Sequence, residues 1–275
     1  MTPSLASHTD LALRRLEGAV ITRTPDQTVI RSPRNPTFWW GNFLLMPRAP
    51  GPGDLERWLG AFGEHLPQAA HCAFGVDTAD GEAGAADDFV EAGFTLFRDT
   101  VLTAERTVAP RRLNSDALCR PLATDADWQA ALELRLAVNA GDPEPMEPSG
   151  YRTFVTRKLA DYRAAQNTGA GAMWGAFDDA GQMLSGLGIF DAGPDLQTGQ
   201  RVARYQSMET HPDARSRGLA GTLVHAAGEW ARETLGTQTL VIVADPEYHA
   251  QRLYERVGFR PTEVQLGFEK PPAGG

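Results

Sequence analysis

The chemistry in this chain concentrates where a strand is followed by a glycine turn and then by a helix. The stretch from Met208 to Leu223 reads as an extended segment through Thr210, a turn Arg215-Ser216-Arg217-Gly218-Leu219-Ala220, and a helix that begins at Leu219. The first N–H groups of a helix have no partner inside it, and the helix dipole adds partial positive charge at the same end. Such a turn is an anion seat, and a diphosphate is its natural guest. Arg215 and Arg217 can add charge-assisted hydrogen bonds, and the small Ala220 and Gly221 let a ligand or the sheet lie close to the helix axis. An ordinary strand-turn-helix would use Gly218 in the same way, so the turn alone leaves both readings open.

Other chemistry is bounded by composition. The chain has 275 residues and a formal net charge of -9, with 42% hydrophobic and 22% charged residues. That length suggests two domains. The negative charge argues against nucleic acid and anionic lipid as partners, since both demand clustered Lys and Arg. The two cysteines, Cys72 and Cys119, are far apart and lack metal-ligand spacing, so neither a disulfide framework nor a metal site is expected. The N-terminal residues lack an apolar signal core, and the run Phe38 to Met46 is too short to span a bilayer. These features predict a reduced, cytoplasmic protein.

The elements that would position the turn follow from periodicity and turn chemistry. In the first part we expect a helix over Leu5–Leu16 and strands near 19–22 and 28–31. A buried strand over Thr37–Met46 and a helix capped by Asp54 should follow, then a strand over Cys72–Asp77, a helix ending at Gly93, and a long bent strand or hairpin over Phe94–Glu105. Residues 107–116 read as a linker. Beyond it we expect a strand at 118–122, and a helix over 125–140 with Trp128, Ala131, Leu132 and Leu136 on one face. A Pro-rich acidic loop (Asp142, Glu144, Glu147), a helix over 151–165 and a hairpin over 172–190 come next. The strand 202–210, the helix 219–234, the strand 239–245, the helix 248–257 and a last strand or strands over 259–269 complete the pattern.

A second segment raises the specificity of the first. The turn has the form R-x-x-G-x-A, and about thirty residues on stands Ala250-Gln-Arg-Leu-Tyr-Glu-Arg-Val-Gly-Phe259. In this order the two resemble the cofactor signatures of the GNAT superfamily of N-acetyltransferases. The resemblance covers roughly residues 118–270 by element order and is strong from Met208 to Phe259. It implies the acyl-CoA N-acyltransferase fold, an α/β (α+β) arrangement with a mixed, mostly antiparallel sheet flanked by helices. It also implies acetyl-CoA as co-substrate, without a metal, and direct transfer to a small-molecule or N-terminal amine in a ternary complex.

By the same resemblance, the backbone of Met208 and Thr210 would bond the acetyl and pantetheine parts, and Arg215, Ser216, Arg217, Gly218, Leu219, Ala220 and Gly221 would cradle the pyrophosphate. Tyr254 would protonate the departing thiolate. Two positions depart from the family pattern. Glu247 stands where an Asn is common and, when ionised, cannot donate; Asp245 could contribute to the cofactor site instead. No carboxylate occupies an obvious base position, which leaves Glu209 as the nearest candidate and His211 second.

The first part repeats the element order of the last. Phe89-Val-Glu-Ala-Gly-Phe94 parallels Tyr254 to Phe259, and Phe74 to Asp77 parallels Ile242 to Asp245. Residues 1–106 thus resemble a degenerate lobe of the same family, joined by the linker 107–116 to a catalytic domain over 117–275. Tandem arrangements of this kind occur in the superfamily, as in mycothiol synthase. The equivalent turn, Pro47 to Asp54, is rich in proline, which has no N–H, and Phe89 replaces the tyrosine. No acetyl-CoA binding is expected there. Trp39 and Trp40 would pack at a seam between lobes or, more simply, fill a core. The rival reading is a non-catalytic acyl-CoA-binding sensor; a dinucleotide-binding oxidoreductase lacks its G-x-G-x-x-G.

Overall fold

In the computed structural model, residues 4–246 and 250–272 are described. The chain divides into two compact units, one made of Met1–Val101, Val243–Tyr248 and Pro261–Gly275, the other of Leu102–Ile242 and His249–Arg260.

The first unit opens with α1 (Leu5–Leu16), whose Ser4 cap accepts from the Ser7 N–H. It continues with β1 (Val20–Arg23), β2 (Thr28–Arg31), β3 (Phe43–Met46), α2 (Asp54–His65), β4 (Cys72–Val76) and α3 (Ala86–Glu91). Then β5 (Thr95–Ala104) runs as one continuous strand rather than a hairpin, and its last residues belong to the second unit. β3 and β4 are parallel, with Leu44 opposite Phe74 and Met46 opposite Val76. On the far side of β4 lies the chain's last strand, β11 (Arg260–Lys270), antiparallel, with Leu266 opposite Val76 and Phe268 opposite Phe74. The final strand, expected in the catalytic half, therefore completes the sheet of the first unit. Its side chains enter that core: Phe268 is fully buried and lies 4.7 Å, ring to ring, from Phe89, with Trp58, Phe62 and Phe74 around them.

The strand expected over Thr37–Met46 is shorter, because Trp39–Gly41 forms a 3₁₀ turn. Asn42 is the cause. Its amide donates to the carbonyls of Phe38 at 2.8 Å and Asn35 at 3.1 Å and accepts from Ser32 N–H at 2.9 Å, diverting backbone groups that a strand would have paired. Trp39 stacks on His71 at 5.6 Å, and Trp40 sets its edge against Phe97 and donates to Glu269 at 2.9 Å. All of these partners lie in the first unit, so both tryptophans serve its packing.

The second unit comprises β6 (Leu118–Pro121), α4 (Asp125–Ala140), α5 (Pro148–Asn167), β7 (Gly171–Phe177), β8 (Met183–Pro194), β9 (Arg201–Thr210), α6 (Leu219–Thr234), β10 (Thr239–Ala244) and α7 (Ala250–Arg256). Its strand order is β10-β9-β8-β7-β6. Every neighbouring pair is antiparallel except β9 and β10. This is a mixed, mostly antiparallel sheet flanked by helices, the arrangement expected from the sequence. α4 starts on a capping box in which Thr124 and Asp127 satisfy each other's backbone N–H, and Arg120 grips Asp127 with two contacts of 2.7 and 2.8 Å. α5 begins earlier than Tyr151, because Pro148 fits the first turn and Glu147 accepts from the N–H groups of Ser149 and Gly150.

Candidate functional site

The site is built first by a dislocation in β9. Its register with β8 runs Thr210 opposite Ser185 and Glu209 opposite Gly186, then jumps to Gln206 opposite Gly188, so Leu187 faces both Ser207 and Met208. This is a β-bulge, and Ser207 takes φ 52° to make it. A non-glycine residue in that region stores about 1 kcal/mol of strain. The parallel register with β10 ends at Arg204 opposite Val241. Beyond it the main chain of residues 206–210, which includes Met208 and Thr210, has no strand on that edge among the described residues. Thr210 also shares a 3.0 Å hydroxyl contact with Ser185.

After β9 the chain makes a short 3₁₀ turn over Pro212–Ala214, and Arg215 is extended. Ser216 (φ 61°) and Gly218 (φ 81°) are left-handed, which turns the chain sharply into α6. Gly218 is the cap residue of α6, and among the described residues no side-chain cap bond closes the helix's free N–H groups. These are the donors of Leu219, Ala220 and Gly221 that the sequence points to. Arg215, Ser216 and Arg217 are exposed on the same turn. His211, the second base candidate, is half-buried and accepts from the Asp213 N–H at 3.3 Å, a local cap.

The equivalent turn of the first unit carries a carboxylate beside its helix start. Gly53 caps α2 with φ 79°, nearly the value at Gly218. Asp54 does not cap that helix; its carboxylate folds back to accept from Gly51 N–H at 2.8 Å and pairs with Arg48 at 2.9 Å and Arg57 at 2.8 Å. Burial pushes the Asp54 carboxyl up, but the Gly51 N–H and the two arginines outweigh it and hold it below the ordinary 3.8. The Ala85 N–H also closes onto Pro50 O at 2.7 Å. The chain's own carboxylate thus occupies this turn, whereas Leu219 stands at the matching place in α6.

Glu209 is not a free carboxylate. It faces Arg135 of α4 at 3.2 Å, and its second oxygen is buried with no hydrogen-bond partner. Burial raises the Glu209 carboxyl above its usual range, and Arg135 only partly offsets this. The phenol of Tyr151 is raised as well, chiefly by burial. The Tyr162 hydroxyl reaches the bulge residue Ser207 at 3.3 Å. Arg135 and Tyr162 are functional candidates that sequence reading missed. A signal existed for the first, since Arg135 falls on the same helical face as Trp128 and Ala131, a place where a cation needs a reason.

Tyr254 of α7 is buried at 6% exposure, with its ring edge-on to Phe259 at 6.4 Å. Asp245 is exposed just past β10 and falls in the first unit, while Glu247 and Tyr248 lie outside the described residues. In the acidic loop, Asp142 accepts from Glu144 N–H and Glu147 caps α5; all three are exposed. Both cysteines are free thiols, and burial pushes Cys72 up to about 12, far from thiolate chemistry. Among the described residues, no cluster of three His, Cys, Asp or Glu could hold a metal, and no helix is long and apolar enough to cross a membrane.

A cavity of about 610 Å³ lies between the start of α6 and α7, lined by Gly218 and Gly221, by Leu253 and Arg256, and by Arg111 and Arg112 of the segment read as a linker. With this geometry in place, comparison with known proteins is direct. Residues 141–259 match the model of the acetyltransferase (GNAT) family. A crystal structure of a functionally unknown conserved protein from Staphylococcus epidermidis aligns with a TM-score of 0.70 at 14% identity, over 91% of this chain and 93% of its own. A GCN5-related N-acetyltransferase from Kribbella flavida aligns at 0.60 with 16% identity, over 99% and 98%. A tandem GNAT protein from the clavulanic acid biosynthesis pathway aligns at 0.55 with 14% identity, over 98% and 90%. Identities this low speak for the fold alone. No curated protein matches the chain.

Proposed function

We propose that this chain, whose residues 141–259 match the model of the acetyltransferase (GNAT) family, is an acyltransferase that moves the acetyl group of acetyl-CoA to a primary amine by direct transfer in a ternary complex. The observation that carries the reading is the contrast between the two turns. Both helix starts lack a side-chain cap, but the α6 turn has Arg215 and Arg217 beside it, whereas the α2 turn holds the Asp54 carboxylate, which already pairs with Arg48 and Arg57. The diphosphate of the co-substrate suits the first and would meet a carboxylate in the second.

The remaining roles follow from position. The open edge of residues 206–210 can bond the amide groups of the pantetheine arm, as a strand would. Glu209, with its carboxyl raised by burial, is suited to take the proton of an incoming ammonium. Tyr254 is the proton donor to the leaving thiolate. An acceptor that arrives as a cation suits the exposed acidic loop of Asp142, Glu144 and Glu147. The two free thiols suit a reducing, cytoplasmic setting.

The test is a calorimetric titration with acetyl-CoA, followed by pools of small amines and peptide N-termini with free-thiol detection. Binding at one site per chain and thiol release with an amine pool are expected. Absence of any acyl-CoA binding would overturn the reading, and binding without turnover on any pool would make the protein a sensor.

A further inference from the structure

The segment 107–116, expected as a plain linker, is strapped along α6 and α7 by side-chain and main-chain bonds. At its start the Val108 N–H donates to Val257 O at 2.8 Å, and the Thr107 hydroxyl meets His225 Nδ1 at 2.9 Å. At its end the Asn114 N–H donates to Thr222 Oγ1 at 2.8 Å, and its side-chain amide donates to Arg217 O at 2.9 Å. Between these anchors Pro110 packs over Gly221, and the Arg112 carbonyl comes so near that a Cβ on Gly218 would sit 3.0 Å from it. The strap thus holds Arg111 and Arg112 against the cavity beside the anion-binding turn.

Charge makes this placement informative. The protein carries a net charge of -9, with 35 acidic residues against 26 Lys and Arg. Acidic partners are plentiful, and Arg48, Arg57, Arg120, Arg135 and Arg201 all have one. Arg111, Arg112 and Arg256, the three arginines lining the cavity, are exposed and form no such ion pair among the described residues. Three exposed guanidinium groups around one cavity make a cationic surface that an anion suits. Leu253 and Pro110 give the same cavity an apolar surface.

We infer that the 107–116 strap is part of the co-substrate site, and that Arg111 and Arg112, with Arg256, hold the 3′-phosphate of the CoA nucleotide. A phosphate monoester is a dianion whose oxygens suit guanidinium forks, and the apolar surface suits the adenine ring beside it. The inference rests on the acyl-CoA reading and adds to it a contact outside the 117–275 segment. Anchoring at residues 108 and 114 holds the two arginines in place before binding, so less ordering is needed when the nucleotide arrives.

The experiment compares CoA with 3′-dephospho-CoA by calorimetry on the full chain. The wild type should bind CoA more tightly, by about tenfold or more, the step expected for one charge-assisted phosphate contact. R111A/R112A should bind CoA as weakly as the wild type binds dephospho-CoA, while its affinity for dephospho-CoA changes by less than about threefold. R256A should lose part of the same discrimination, and as an independent variant it serves if the double substitution disturbs folding; thermal melting of each variant checks this. Arg23→Ala, an exposed cation in the first unit, should keep the full discrimination. Equal wild-type affinity for the two ligands overturns the inference alone, as does a double variant that still discriminates or that loses both ligands equally. A wild type that binds neither ligand overturns the acyl-CoA reading together with it.

Discussion

At the residue scale the two proposed proton carriers make separable predictions. Tyr254 is buried on α7, where its phenol can serve a leaving group without meeting bulk water. Tyr254→Phe removes only the hydroxyl, so turnover should fall about 100-fold with acetyl-CoA affinity unchanged, read by steady-state kinetics beside calorimetry. Unchanged turnover would remove the acid role. Glu209 predicts a pH effect. Burial raises its folded-state carboxyl above the ordinary 4.5, and a base must be ionised, so kcat/KM should decline on the acid side as pH falls through that raised value. Glu209→Gln should lower the rate and abolish that acid limb. A mutant that keeps the limb would assign it to another group.

Elements were the most legible level of this sequence, for a physical reason. α4, α6 and β2 follow from local periodicity and caps, and the turn into α6 follows from one glycine between arginines. What was illegible depends on contacts distant in sequence. Asn42 cuts short a run of apolar and aromatic residues that reads as a strand, and Arg135 finds Glu209 across two elements. Two predictions test elements directly. Asp127 is held well below 3.8, chiefly by the Arg120 hydrogen bonds, with Thr124 and Ala123 N–H groups assisting against burial. A carboxyl whose folded pKa is depressed contributes stability above its unfolded value and loses it as pH falls below. The contribution should therefore be constant through neutral pH and decline only as pH drops below 3.8. Asp127→Asn should cost about 2 kcal/mol at pH 7 and flatten that acid decline, as read by urea unfolding at several pH values. The glycine pair gives the other test. Gly218→Ala and Gly53→Ala both put a Cβ on a left-handed residue at about 1 kcal/mol each, with a further cost at Gly218, where the Cβ meets the Arg112 carbonyl at 3.0 Å. Only the first should also weaken acetyl-CoA binding, by about tenfold or more. Around Gly53 nothing lies within 4 Å, and the Asp54 carboxylate beside that turn would repel a phosphate. Equal binding by both variants would remove the α6 turn from the co-substrate site.

At the scale of the whole molecule, the repeat of element order was readable, but the ownership of the last strand was not. Hydrophobic alternation shows that residues 260–270 form a strand without showing which sheet it joins, since that is decided by packing across the chain's full length. In the structure it supplies Leu266 and Phe268, both fully buried, to a core otherwise made by residues before 101. Removing a buried Phe alone costs about 3–5 kcal/mol, a large share of a small domain's stability of about 5–15 kcal/mol. A fragment ending at residue 106 should therefore lack a cooperative thermal transition, although it contains every element of a complete-looking lobe. The same fragment extended through a short Gly/Ser linker into residues 261–272 should melt cooperatively, because the linker restores β11 beside β4. Circular dichroism and calorimetric melting of the two fragments decide the matter. Cooperative melting of the shorter one would show that the first unit folds without the strand it borrows, and that β11 is an addition to a sheet already stable.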